Sequence, residues 1–169
     1  KAIIALAQEV GFKPDIINCN DWQTGLVPIL LKWAERDNPF FAGTKTIFTI
    51  HNLAYQGLFW HLDMHLTNLP WDVFTPEGIE FYGKINLMKA GIVGSTLVTT
   101  VSKKYCQEIQ TPEYGCGLEG VLLSRKHDLY GILNGVDYNE WSPERDKYIA
   151  KNYGPATIAD KVVCRRDLL

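Results

Sequence analysis

Phosphate-cradling loops, nucleophile elbows and runs of one charge are all missing from this 169-residue sequence. Without a P-loop lysine or a Gly-x-Ser-x-Gly elbow, the common nucleotide triphosphatase and hydrolase readings have no support. Seventeen basic residues stand against nineteen acidic ones, a net charge of -2, so no electrostatic footprint favours nucleic acid or an anionic membrane. Small or neutral partners are expected instead. The longest apolar stretch, Leu26 to Leu31, falls far short of the roughly 20 residues a membrane span needs. A soluble protein with no membrane partner is therefore expected. Cysteines are few and scattered: Cys19, Cys106, Cys116 and Cys164 show no C-x-x-C spacing and no clustering with histidine. Neither a zinc site nor a disulfide scaffold is indicated, and a cytoplasmic location fits. Cys19 and Cys106 read as small apolar fillers. No signal-peptide pattern follows Lys1, and the missing initial methionine predicts a piece cut from a longer chain.

What is present is a repeating grammar of helix, strand and cap. Ile3, Ile4, Leu6, Ala7 and Val10 recur at helical spacing and stop at Gly11, which suits a helix C-terminus. A short strand over Asp15 to Asn20 follows, then Asp21 as helix N-cap before Trp22, Leu26, Ile29, Leu30 and Trp33. Lys45 to Ile50 is a β-branched and aromatic strand ending at His51-Asn52. From about Leu53 to Gly83 a long loop is expected, and Ile85 to Gly94 has helical spacing. Thr96 to Val101 reads as strand with Ser102 capping the next helix, a short helix runs from Leu118 to Leu123, and Tyr130 to Leu133 makes a fourth strand before Asn134. This alternation predicts an α/β fold: a parallel Rossmann-like sheet flanked by helices, with right-handed crossovers. Such sheets bind ligands beyond their carboxyl ends, here Asp21, His51, Ser102 and Asn134.

Position nominates these residues, and chemistry sorts them. An aspartate at a strand-to-helix turn is a preferred cap whatever the protein does. His51 is more informative, because it ends a strand and opens a loop carrying Asn52, Tyr55 and Gln56, a set of polar groups at the active edge. Trp22 could stack on a sugar face or serve the core, and Gln23 could bond sugar hydroxyls. His61 and His65 have metal-ligand spacing, but nothing completes a motif. Gly115-Cys116-Gly117 lacks the third glycine of a dinucleotide fingerprint. No metal or cofactor is called for.

The segments NCNDWQTGLVPILL, TIHNLAYQGLFW, LPWDVF, INLMKAGIVGSTLVTTVS, YGCGLEGVL and ILNGVDYNEWSPERD, in this order over essentially the whole chain, resemble bacterial glycogen (starch) synthases. The resemblance implies two Rossmann-like domains facing a cleft. It also implies transfer of glucose from a nucleotide sugar, mainly ADP-glucose, to the 4-hydroxyl of an α-1,4-glucan with retention. Residues 1–159 would be the second half of the amino-terminal, acceptor-side domain, and 160–169 the start of the segment crossing to the other domain. His51 resembles the cleft histidine near the reacting end of the donor glucose. Asp21 matches the acidic residue of the Asp-Trp motif, Asn134 resembles the asparagine contacting the transferred glucose, and Trp22 and Gln23 fall at the acceptor side. Many relatives read His-x-His-Asp-Trp where this chain has Asn18-Cys19-Asn20-Asp21-Trp22, and often carry histidine at position 23.

The family's Lys-x-Gly-Gly loop and its nucleotide-binding domain lie outside these residues, so the isolated chain is expected to be inactive. An exposed sheet edge beside Asp15 to Asn20 would favour a homo-oligomer. Alternatives are another retaining two-domain glucosyltransferase, such as a sucrose or trehalose-phosphate synthase or a phosphorylase, and a non-catalytic carbohydrate-binding module. The second is motivated by Phe59, Trp60 and Trp71 among five tryptophans, although buried tryptophans are the simpler expectation.

Overall fold

The computed structural model describes residues 1–169, which form two compact units, Lys1–Leu133 and Asn134–Leu169. In the first unit the elements are α1 (Ala2–Glu9), β1 (Ile16–Asn20), α2 (Leu26–Trp33), β2 (Lys45–Ile50), β3 (Leu58–Trp60), α3 (Met64–Thr67), β4 (Glu80–Phe81), β5 (Lys84–Asn86), α4 (Leu87–Gly94), β6 (Leu97–Thr100), α5 (Lys103–Glu108), α6 (Glu119–Ser124) and β7 (Leu129–Gly131). The main sheet has the order β1-β2-β6-β7, and every neighbouring pair is parallel. The parallel α/β architecture expected from the sequence is therefore the one observed.

The register separates the two faces of this sheet. Cys19, Phe48, Val98 and Leu129 lie side by side across the four strands, and all are buried. Val27 of α2, Met88 and Ile92 of α4, and Leu122 of α6 pack onto them in one cluster. Burying a side chain the size of Phe48 contributes roughly 2–3 kcal/mol. Gly91 makes the close approach of α4 possible, since a Cβ there would fall 2.2 Å from the Phe48 ring. A second cluster, with Ile4, Ile29, Phe41, Ile79 and Ile85, fills the layer behind these helices. The opposite face carries Ile16, Asn18, Asn20, Thr49, Thr99 and Tyr130, and it stays largely open: Ile16 is 57% and Tyr130 50% exposed.

Local expectations hold at the helix ends marked by Gly11 and Ser102 and fail where the chain pairs over short distances. α1 ends at Gly11, with Gly11 N–H on Gln8 O (3.1 Å) and Phe12 N–H on Ala7 O (2.9 Å), the paired bonds of a Schellman turn. Ser102 accepts Tyr105 N–H at 3.3 Å and caps α5. The segment 53–83 is not a structureless loop. It holds β3, α3, β4 and two 3-10 turns, His61–Asp63 and Trp71–Val73, and β3 and β4 flank β5 in an antiparallel sheet. Tyr82 and Gly83, both at positive φ (49° and 77°), form its two-residue hairpin turn. Helix α4 starts later than its apolar spacing suggests: Ile85 pairs in β5, and Asn86 Oδ1 accepts Lys89 N–H at 2.9 Å. The last strand likewise ends at Gly131, although Ile132 N–H still reaches Thr100 O at 2.7 Å.

The second unit is built from side-chain-braced turns. Asp137 Oδ1 accepts Asn139 N–H (2.9 Å), and Asn152 Nδ2 donates to Pro143 O (3.0 Å) and Asp146 O (2.7 Å). A 3-10 segment, Pro155–Asp160, leads into α7 (Lys161–Leu168). Lys151 and Asp160 form an ion pair at 2.9 Å.

Candidate active site at the carboxyl rim of the sheet

β1 and β2 end one residue before Asp21 and His51, and parallel pairing of Asn20 with Thr49 brings both ends to the same rim. Asp21 N–H continues the ladder to Thr49 O at 3.0 Å. Its carboxylate does not cap the following turn. Oδ1 instead accepts His51 N–H at 2.8 Å and Asn52 N–H at 3.4 Å. The N-cap reading of Asp21 is thus corrected: an amide thirty positions away competes successfully with the local one. Asp21 adopts φ 53° and ψ −179°, a region that is nearly glycine-only and costs of order 1–3 kcal/mol in other residues. Two amide bonds to a carboxylate are of the right size to hold that strain.

The His51 ring is fixed from the same strand. Asn20 Oδ1 lies 3.0 Å from Nε2, and the ring is otherwise exposed. The chain after His51 is pinned as well: Leu53 N–H donates to Tyr105 Oη at 3.0 Å, and Asn52 Oδ1 accepts Ala54 N–H at 3.0 Å. Neither Asn20 nor Tyr105 was nominated by strand-end position. Asn20 could have been found from its parity, since Asn18, Asn20, Thr49 and His51 alternate onto one face. Tyr105, 52 residues from Leu53, leaves no local signal.

Of the other nominated residues, Gln56 is removed from the rim. It is buried, with Nε2 on Cys116 O (2.9 Å) and Oε1 accepting Asn86 Nδ2 (2.7 Å), so its amide ties this segment to the end of β5 and to the turn ahead of α6. Trp22 is half-buried in a 3-10 turn, its ring 6.0 Å from Phe59 and so close to Gly57 that a Cβ there would fall 2.3 Å away. Gly57 also holds φ +62°, so only glycine fits beneath the indole. Gln23 is exposed beside Trp22, and Tyr55 is exposed in the loop. Asn134 lies three residues past β7, is exposed, and begins the second unit. Within the first unit the structure therefore joins Asn20, Asp21 and His51 directly and sets Trp22 and Gln23 next in the chain. The expectation of buried tryptophans is corrected: Trp33, Trp60, Trp71 and Trp141 are all exposed.

Chemically, the rim offers an imidazole, a carboxylate with one oxygen bonded to backbone, and exposed amides, a set suited to polyhydroxyl ligands. A polar cavity of about 380 Å³, lined by Lys32, Arg36, Thr44, Thr46, Ser95 and Thr96, lies at the opposite, amino ends of the strands. We place the candidate site at the rim because it has the fixed, exposed polar side chains. Two groups with displaced titration lie beside or behind these side chains without joining them. Burial pushes the Cys19 thiol up to about 11. Burial lowers Lys89, partly countered by Glu80 and Glu77, while its ammonium donates to the carbonyls of Pro76 and Glu80.

Comparison with known proteins gives this arrangement a lineage. The family model for the starch synthase catalytic domain matches residues 1–124. The chain is 49% identical to glycogen synthase 2 of Geobacter sulfurreducens over 99% of its own length and 35% of the relative's. It is 52% identical to glycogen synthase of Myxococcus xanthus over 96% of its length and 34% of that protein. Among solved structures, the catalytic domain of starch synthase IV from Arabidopsis thaliana bound to ADP and acarbose is similar at a TM-score of 0.75. Sequence identity there is 31%, over 99% of this chain and 35% of that one. An open parallel α/β sheet with polar strand ends defines the broad class; this chain belongs to the starch synthase catalytic domain family. It spans about a third of the length of the relatives it matches.

Proposed function

We propose that this chain supplies the acceptor-side rim of a retaining glucosyltransferase that extends an α-1,4-glucan from a nucleotide sugar, with ADP-glucose as donor. The observation that carries the reading is His51 fixed at the carboxyl rim, its ring bonded to Asn20 and its backbone amide to Asp21. His51 sits near the reacting end of the donor glucose, Asp21 is a substrate-binding carboxylate of the cleft, Asn134 contacts the transferred glucose, and Trp22 and Gln23 meet the glucan. In the reaction, the bond from glucose C1 to the leaving diphosphate breaks and a bond to the acceptor 4-oxygen forms on the same face. The acceptor proton passes to the leaving phosphate. The part of these residues is to orient glucose and stabilise an oxocarbenium-like state. Neutralising the diphosphate falls to residues outside this chain, so the 169 residues alone are inactive, and they act in the cytoplasm. The unpaired edge of β1 favours self-association.

The test compares ADP-glucose and UDP-glucose turnover on a glycogen primer by the whole enzyme. ADP-glucose-dependent elongation is expected; transfer to fructose or glucose phosphate instead would place the enzyme with another retaining glucosyltransferase. Exposed Phe59, Trp60 and Trp71 favour one further reading, a glucan-binding surface. It predicts retardation of the chain in glucan-containing gels with no donor present.

A further inference from the structure

The Asn20–His51 bond has a chemical direction. An amide oxygen has lone pairs and no proton, so where Asn20 Oδ1 faces Nε2 at 3.0 Å, the neutral imidazole must carry its proton on Nε2. Nδ1 then keeps its lone pair, and no side chain or backbone group of these 169 residues bonds to it. The same strand end fixes the backbone beneath the ring, since Asp21 Oδ1 accepts His51 N–H at 2.8 Å. Asn20 is itself placed by the ladder, opposite Thr49, with its carbonyl accepting the Thr24 hydroxyl at 2.8 Å.

We propose that Asn20 is a positioning residue for His51, holding the ring as the Nε2–H tautomer so that Nδ1 is offered to the substrate as a hydrogen-bond acceptor for a sugar hydroxyl. The proposal rests on the glucosyltransferase reading only for the identity of the substrate. Asp21 is the charged group facing His51 from β1, and its carboxylate engages the His51 backbone amide rather than the ring. A carboxylate at position 20 would change the chemistry, because it keeps the acceptor oxygen, adds a charge against Nε2 and favours the imidazolium, in which Nδ1 is a donor.

Nuclear magnetic resonance of the ¹⁵N-histidine-labelled 169-residue chain tests this without turnover. In the wild type, long-range couplings should place the neutral-ring proton on Nε2. Asn20→Asp should raise the His51 titration midpoint by about one unit, and Asn20→Leu should not raise it. Both substitutions are at an exposed position, and unchanged backbone amide spectra check the fold. In the whole enzyme, Asn20→Leu should lower kcat on the order of 10- to 100-fold with little change in KM. Asn20→Asp should be impaired at neutral pH and recover as pH rises above the shifted midpoint. A proton on Nδ1, or an His51 midpoint the same in wild type and Asn20→Asp, overturns the proposal. Those readouts need no activity, so they separate its failure from that of the glucosyltransferase reading, which falls if the wild-type whole enzyme transfers no glucose.

Discussion

The two faces of the main sheet are built from the same kinds of strand residue and end in opposite conditions. On one face Phe48 and Val98 are fully buried beneath α2, α4 and α6. On the other Ile16 and Tyr130 are half or more exposed, and polar side chains bond across the strands, as in Thr49 to Thr99 at 2.8 Å. Parallel sheets normally bury both faces. Within these 169 residues, about a third of the relatives' length, the covered face supplies the packing, and the other face carries Asn20 and His51, bonded to each other at 3.0 Å, to the rim.

Substitution can sharpen that contrast or break it. Phe48→Ala removes the largest fully buried side chain of the covered face and should cost about 3–5 kcal/mol in denaturant unfolding. At the rim, Asp21→Gly and Asp21→Ala both lose the carboxylate, but only glycine relaxes at φ 53°. The glycine variant should therefore be the more stable by about 1–2 kcal/mol; equal stabilities would mean that the backbone strain is not real. On the open face, Tyr130→Ser should change stability by less than about 0.5 kcal/mol. A loss as large as that of a core residue would reveal that this face is covered in solution, and sedimentation would tell whether a second copy covers it.

Thiol chemistry gives the smallest and cleanest contrast. Cys19 lies on the covered face with its thiol pushed up to about 11 by burial, whereas Cys116 is exposed. At pH 8, iodoacetamide should label Cys116 and spare Cys19 until the chain unfolds. The linkage runs in one direction. Because the folded state holds the Cys19 proton more tightly than the unfolded chain, its contribution to stability is intact below the ordinary thiol range and is lost as pH climbs towards about 11.

Much of this was legible along the chain because it rests on local rules. β-branched runs marked the four parallel strands, Gly11 and Ser102 marked helix ends, and strand-end position singled out Asp21 and His51. What escaped depends on partners distant in sequence or on elements too short to show a period. The three strands around Tyr82-Gly83 have only two or three residues each. Local spacing marks Asp21 as a cap, whereas its partner, the His51 amide, lies thirty positions away. Gln56 resembled a rim residue until its amide proved to be shared between Cys116 and Asn86. The exposed tryptophans have a different physical reason. Hydrophobic type predicts burial only on average, and the aromatic segment around Phe59 and Trp60 forms surface.

We propose that His51, its ring bonded to Asn20 and its backbone amide to Asp21, takes part in glucosyl transfer. The most direct test is elongation of a glycogen primer from ADP-glucose by the whole enzyme, wild type against His51→Ala, with unfolding curves recorded for both. The account predicts that elongation falls by roughly 100-fold or more while stability changes little, because the ring is exposed. Elongation at the wild-type rate in His51→Ala would contradict it and leave the rim a structural feature of the sheet.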